Sequence, residues 1–363
     1  MKMKVLFLVT ALEQGGLETY LLRFLDYYKN PNVIVLCKSG RLGCLYDQYI
    51  QKADRVIPFS LSYFNVIQYI HFYFFLKRES IDTICDFTGN FAGIPLYVAA
   101  KAGIKKRIAF YRGASNHFKE DPFRLLYNHF VRNLTFSYAT KILSNSKAAL
   151  DFFFPNLYEK SDKFKVIYNG IDITVPSIMS RDSLCREFNI LPSNFIIGHT
   201  GRCNYAKNHD TIIQVAISLC LKYSDITFVL VGKGVKEKYS SLITEKKMEQ
   251  RILLLGYRTD VLKILGMFDL FYFPSVTEGQ PNALIEAMVH GLPFITSNIA
   301  PICETVPSDM RRLLLSPRDV ESAVRTIERL YMNREELLLY KCTEWARNNY
   351  DANIQFEKFK REL

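Results

Sequence analysis

Long apolar runs are missing from this 363-residue chain; none approaches the roughly 20 residues a membrane-crossing helix needs, which excludes a helical span. Metal-site spacing is missing too. The eight cysteines, at 37, 44, 85, 185, 203, 220, 303 and 342, form no Cys-x-x-Cys pair and no Cys/His cluster, so they read as buried, reduced thiols of a cytosolic protein. No Asp-x-Asp is present to hold a divalent ion. Gly232-Lys233-Gly234 lacks the third glycine of a dinucleotide-binding loop, because position 237 is Glu, and it follows a middle strand; the redox reading fails. A net charge of +11 points to an anionic partner, but no helix-turn-helix or zinc spacing supports nucleic acid. At the N-terminus Lys2 and Lys4 precede the apolar stretch Val5 to Leu12, which is short for a signal peptide and has no small-x-small site after it. It reads as a buried first strand.

What is present is a rhythm. Val5–Val9, Val33–Leu36, Thr83–Cys85, Arg107–Phe110 and Lys141–Leu143 are strand candidates separated by helical patterns, with Val166–Tyr168 as a last strand. The rhythm restarts with Phe195–His199, Thr227–Val231, Ile252–Leu255, Leu270–Phe273 and Phe294–Ser297. Alternating strand and helix implies α/β units with parallel sheets covered on both faces. Two doubly wound, Rossmann-like domains follow, residues 1–175 and 176–340, facing across a cleft where ligands of such sheets bind. Ile173 to Ser180 reads as the linker.

The most informative stretch runs from Phe273 to Pro293. An apolar strand ends at Pro274-Ser275, a polar loop carries Glu278, Gly279 and Pro281, and a helical pattern runs from Asn282 to the stop at Gly291. Backbone N–H groups at such a helix start favour an anion, and Glu278 and Glu286 can accept hydrogen bonds from hydroxyls. A phosphate flanked by sugar hydroxyls suits that combination.

Glu278 and Glu286, with Pro281, Asn282, Gly291 and Pro293, resemble the nucleotide-sugar motif of retaining glycosyltransferase family four, and of its branch that builds bacterial capsular and exopolysaccharides. Gly201-Arg202 and Lys207-Asn208 resemble that family's diphosphate clamp, Val231-Gly232-Lys233-Gly234 its mid-domain strand end, and Gly256-Tyr257-Arg258 with Asp260 its base-side turn. Gly15-Gly16-Leu17-Glu18 is similar to its first glycine loop. The resemblance implies the GT-B fold, with residues 341–363 as a final helix returning to the first domain. It implies a cytoplasmic transferase, peripheral to the inner face of the membrane, that uses a nucleoside-diphosphate sugar, UDP-linked by preference, and a lipid-diphosphate-linked oligosaccharide acceptor.

Roles follow residue by residue. Arg202 and Lys207 supply the positive charge that a leaving diphosphate needs, in place of a metal; no cofactor is expected. Asn282, Ala283 and Leu284 offer helix-start N–H groups. Glu286 takes the ribose hydroxyls and Glu278 the donor-sugar hydroxyls, with front-face attack preferred over a covalent Glu278 intermediate. Gly16 lets backbone approach the ligand, and Arg258 lies either near the base or on the surface. His199 and His209 read as structural.

One departure stands out. The family's His-Ser-His-Asn-like segment, after the strand matching Arg107–Ala109, is replaced by Phe110-Tyr111-Arg112-Gly113. His117, with Asn116 beside it, is the catalytic candidate left; Arg112 is an alternative ligand for a phosphate. Two aromatic and basic segments, Tyr63–Lys77 and Pro122–Lys141, suit an anionic membrane interface, though the first reads equally as a core helix. A nucleotide-sugar 2-epimerase of the same architecture, or a partner protein that binds nucleotide sugar without catalysis, remain as alternatives.

Overall fold

The computed structural model describes residues 3–13, 15–62, 65–113, 121–173 and 180–363. His117, Asn116, Tyr63 and Phe64 lie outside the described residues. Two compact units form, one from Met1–Gly170 with Ala352–Leu363 and one from Ile171–Asp351.

The first unit carries strands β1 (Val5–Val9), β2 (Val33–Cys37), β3 (Arg55–Pro58), β4 (Thr83–Asp86), β5 (Lys106–Tyr111), β6 (Lys141–Ser144) and β7 (Phe164–Val166). They pair in the order β3-β2-β1-β4-β5-β6-β7, every pair parallel. All five residues of β1 are buried because alternate side chains feed different layers. Val5, Phe7 and Val9 enter the core with Tyr20 and Phe24 of helix Gly16–Tyr28, and with Phe356 and Phe359 of helix Ala352–Glu362. Leu6 and Leu8 enter the opposite core with Phe72 and Leu96. Phe359 closes the first layer, with its ring 4.5 Å from that of Phe24.

In the second unit β8 (Phe195–Thr200), β9 (Ile226–Val231), β10 (Ile252–Gly256), β11 (Leu270–Phe273) and β12 (Phe294–Thr296) pair as β10-β9-β8-β11-β12, again all parallel. Gly198 in β8 is required by packing: a Cβ there would meet the Phe268 ring at 1.9 Å.

Two strand expectations need correction. β3 was not visible in the sequence, because Val56-Ile57 between Arg55 and Pro58 is too short an apolar run, and its position at the sheet edge leaves it half exposed. The last strand of the first unit is Phe164–Val166, two residues earlier than Val166–Tyr168; Ile167 still continues the ladder through its N–H to Ser144 O at 2.8 Å.

In each sheet the strand order reverses once, between β1 and β4 and between β8 and β11. At such a reversal the loops leaving the carboxyl ends of the two strands diverge, opening the crevice where α/β sheets bind ligands.

Candidate functional site

In the second unit the loop after β8 and the loop after β11 meet at the reversal. Lys207, from the first, places Nζ 2.6 Å from Glu278 Oε1, from the second. The pair is largely shielded, with side chains 17% and 11% exposed, and the Lys207 ammonium also lies 4.5 Å from the centroid of the Phe273 ring. Asn208 fixes the two loops. It adopts φ +55°, and its amide donates to Pro274 O at 3.0 Å and Pro317 O at 2.6 Å. Val276 N–H to Ala206 O at 2.9 Å adds a backbone tie.

The strand ends are locked together behind this pair. Gly201 N–H donates to Val231 O at 2.8 Å, Cys203 N–H to Lys233 O at 2.8 Å, and Gly232 N–H to Gly256 O at 2.7 Å. A Cβ at Gly232 would stand 1.8 Å from Gly201 O, so only glycine allows the two loops to approach. Arg202 is exposed beside this tie and forms no ion pair among the described residues.

His199 is buried in the floor. Its ring stacks at 7° on Phe271 and 21° on Phe273, and Nδ1 lies 2.9 Å from Tyr272 O. Burial holds its pKa well below the usual value, helped by His209. His209 is likewise pushed down to about 4, chiefly by burial and then by Lys207. Both rings are therefore neutral structural groups near pH 7. At the same edge His199 Nε2, Thr200 Oγ1 and Ser275 Oγ are buried without hydrogen-bond partners. Unsatisfied polar atoms gathered at a strand-end crevice are what a polar ligand or ordered water completes.

Helix Asn282–Val289 starts beside Glu278, and its cap residue is Pro281, which provides no side-chain acceptor. Asn282 N–H donates to Gln280 O at 3.1 Å, and the first-turn N–H groups of Ala283 and Leu284 receive no side-chain cap. Glu286 lies one turn into the helix, half-buried. Arg258 sits just past β10, with its guanidinium held in bidentate fashion by Asp260, at 2.8 and 2.6 Å, and by Glu187 at 3.4 Å. That pairing lowers the Asp260 pKa.

The first unit has its own feature at its reversal. Asp86, fully buried at the end of β4, accepts from Lys38 Nζ at 2.9 Å and from the Thr88 N–H and hydroxyl at 2.8 and 2.6 Å. Lys38 also donates to Thr88 Oγ1 and Phe91 O, at 2.6 and 3.1 Å. Its three donors are used. Lys38 and Thr88 also line a cavity of about 300 Å³, together with Thr10, Ser39, Ser60, Ser62, Tyr69 and Tyr127. Gly16 opens helix Gly16–Tyr28, and its cap Gly15 has no side-chain hydrogen bond.

Comparison with known proteins decides the family. Residues 14–175 match the model described as Glycosyltransferase Family 4, and residues 194–333 match that of Glycosyl transferases group 1. The chain belongs to the family-four glycosyltransferases. It is similar to the Escherichia coli UDP-Gal:alpha-D-GlcNAc-diphosphoundecaprenol alpha-1,3-galactosyltransferase, 26% identical over 80% of this chain and 77% of that protein. It is also similar to the Staphylococcus aureus capsular polysaccharide biosynthesis glycosyltransferase CapH, 26% identical over 82% and 81% of the two chains. Among solved structures Anabaena Alr3699/HepE in complex with UDP superposes with a TM-score of 0.82, at 20% identity, over 99% of both chains. The fold is GT-B, built from two Rossmann-like units.

For this glycosyltransferase the second unit brings together Lys207, Glu278 and the start of helix Asn282–Val289, all of which the sequence singled out. The Lys38–Asp86–Thr88 floor was missed. A buried Asp closing the apolar strand Thr83–Asp86, and a Lys directly after β2, were the available signals; neither belongs to a motif.

Proposed function

We propose that the chain transfers a sugar, with retention of anomeric configuration and without a metal, from a UDP-sugar to a growing lipid-linked oligosaccharide of a bacterial surface polysaccharide. The observation that carries this reading is the Lys207–Glu278 pair across the strand reversal of the second unit. An ammonium has three donors, so Lys207 can keep Glu278 and still reach a phosphate oxygen. Arg202, exposed and without an acid partner among the described residues, is available for bidentate contact with the diphosphate. As the glycosidic bond breaks, negative charge grows on the leaving phosphate, and these fixed cations with the helix-start N–H groups of Ala283 and Leu284 stabilise it. Glu278, paired with Lys207, accepts hydrogen bonds from the donor sugar, while Glu286 accepts from the ribose. Arg258 is engaged by Asp260, so on this reading it shapes the base-side turn rather than gripping the ligand.

The acceptor is assigned to the first unit. The saturated Lys38 gives its cavity a polar floor without a spare charge, which suits a neutral sugar ring between Tyr69 and Tyr127. Helix Val66–Glu79 buries Phe72 and Phe75 but exposes Val66, Ile67, Ile70 and Phe74. Helix Pro122–Tyr138 exposes Phe123 at 86% and Leu126 at 70%. With Lys77, Arg78 and Arg124 on the same helices, these faces suit the headgroup region of an anionic cytoplasmic leaflet. No helix of the described residues is long and apolar enough to cross a membrane.

The test is a panel of UDP-, GDP- and ADP-sugars with a lipid-diphosphate acceptor, followed by NMR assignment of the product anomer. One UDP-sugar giving an α-linked product from an α-linked donor supports the reading. An inverted product contradicts the mechanism, and donor isomerisation without acceptor identifies an epimerase.

A further inference from the structure

Two hydrogen-bond donors are buried side by side in the first unit with no acceptor. Arg112 directly follows β5, and its guanidinium carbon lies 3.8 Å from the centroid of the Tyr20 ring and 5.0 Å from that of Phe110. Stacking fixes the plane of the fork. Arg112 Nη1 and the Tyr20 phenol oxygen are both buried, and neither has a hydrogen-bond partner among the described residues. Arg112 makes no ion pair there either. Asp86, the carboxylate ending the neighbouring strand, is engaged by Lys38 and Thr88. Burial pushes the Arg112 guanidinium down to about 10; the Tyr20 phenol beside it and, more weakly, the Glu18 carboxylate oppose that shift, while the Arg23 cation adds to it.

A guanidinium buried at Nη1 without an ion-pair partner is unfavourable, and a second cation nearby makes matters worse. Water could accept from both donors but would leave the charge uncompensated. An oxyanion accepts from both and neutralises it, with Arg–phosphate geometry the most favourable case.

We propose that Arg112 and Tyr20 form a phosphate-binding subsite in the first unit, taking a phosphate oxygen of a diphosphate-bearing substrate. The chemistry stands on these two residues; only the source of the phosphate, donor or acceptor, rests on the transferase reading. The subsite also accounts for the departure after β5, where an arginine occupies a place that the related enzymes give to a histidine-containing segment.

Inorganic pyrophosphate tests the chemistry first, by calorimetry on the full chain in a background of Arg202→Ala and Lys207→Ala that silences the second unit. The expected result is residual binding weakened about tenfold or more by Arg112→Gln and partly restored by Arg112→Lys. Tyr20→Phe keeps the ring and removes only the hydroxyl, and is expected to weaken binding by about threefold to tenfold. Absence of residual binding, or binding indifferent to both Arg112→Gln and Tyr20→Phe in proteins that melt like their parent, overturns the subsite and leaves water as the partner. In the otherwise native chain, UDP and a short-chain polyprenyl diphosphate are then titrated separately. Selective weakening of UDP by Arg112→Gln assigns the donor, and selective weakening of the polyprenyl diphosphate assigns the acceptor; loss of neither contradicts a substrate role. Arg112-dependent pyrophosphate binding in a chain that turns over no sugar nucleotide would instead count against the transferase reading and leave the subsite standing.

Discussion

Lys207 and Glu278 are 71 residues apart in the chain, and their charged atoms are 2.6 Å apart in the structure. The ion pair crosses the point at which the strand order of the second sheet reverses, and it joins the loop after β8 to the loop after β11. Neither residue can be altered without disturbing the other's charge balance.

That coupling gives a kinetic signature. Lys207→Ala is expected to lower kcat/KM by about a hundredfold to a thousandfold, as for loss of a donor that stabilises developing charge. Glu278→Gln should lower kcat/KM comparably while leaving UDP affinity within about threefold, because the proposed role of Glu278 is to meet sugar rather than phosphate. Steady-state rates and UDP titration on both single variants and the double variant check this. Effects that simply add would show the pair is not one unit.

Gly232→Ala probes the backbone behind the loop that carries Arg202 and Lys207. The new Cβ would meet Gly201 O at 1.8 Å and Arg202 N at 3.2 Å, so the loop carrying Arg202 must move. A destabilisation of about 1–3 kcal/mol, as for other overpacked sites, is expected with at least tenfold weaker UDP binding. Denaturant melts and calorimetry give both numbers; unchanged binding would mean that the Arg202 loop is not part of the site.

Stability should depend on pH through the buried histidines. Burial holds the pKa of His209 at about 4 in the folded chain, against the 6.5 of an ordinary histidine, and lowers that of His199 in the same direction. Between those values the unfolded chain binds more protons than the folded one, so stability is complete above about pH 6.5 and declines as pH falls towards 4. For His209 the loss is roughly 3 kcal/mol. His209→Gln should flatten the slope of unfolding free energy in that window, whatever it does to the plateau; an unchanged slope refutes the assignment.

Much of this organisation is legible in the residues. Val5–Val9 and Leu270–Phe273 are continuous apolar runs because both faces of each sheet are covered, and their bounds agree with the structure. The helix after Pro281 announces itself by Asn282 and by the stop at Gly291. Edge strand β3 did not, since half its residues face outward and need not be apolar. Sequence also marked Lys207 and Glu278 separately, but not as partners: their contact depends on Asn208 bridging the loops to Pro274 and Pro317. The stacking of Arg112 on Tyr20 is equally a product of tertiary packing, because 92 positions separate the two residues in the numbering.

Membrane contact is tested by flotation with vesicles containing anionic lipid. Phe123→Glu with Leu126→Glu places two negative charges on the exposed face of helix Pro122–Tyr138, so binding should fall by about tenfold or more. Phe72 is buried and serves as no control; Leu338, exposed at 69% in the second unit, does. Equal flotation of the native chain, the double variant and Leu338→Glu would remove this helix from the membrane surface.

The most direct test is acceptor-dependent release of nucleoside diphosphate from UDP-sugars, comparing the native chain with Arg202→Ala and Glu286→Ala. The account predicts release from one donor, dependent on acceptor and lost in both variants. Release that survives both substitutions, or a native chain that binds and turns over no nucleotide sugar, would contradict it.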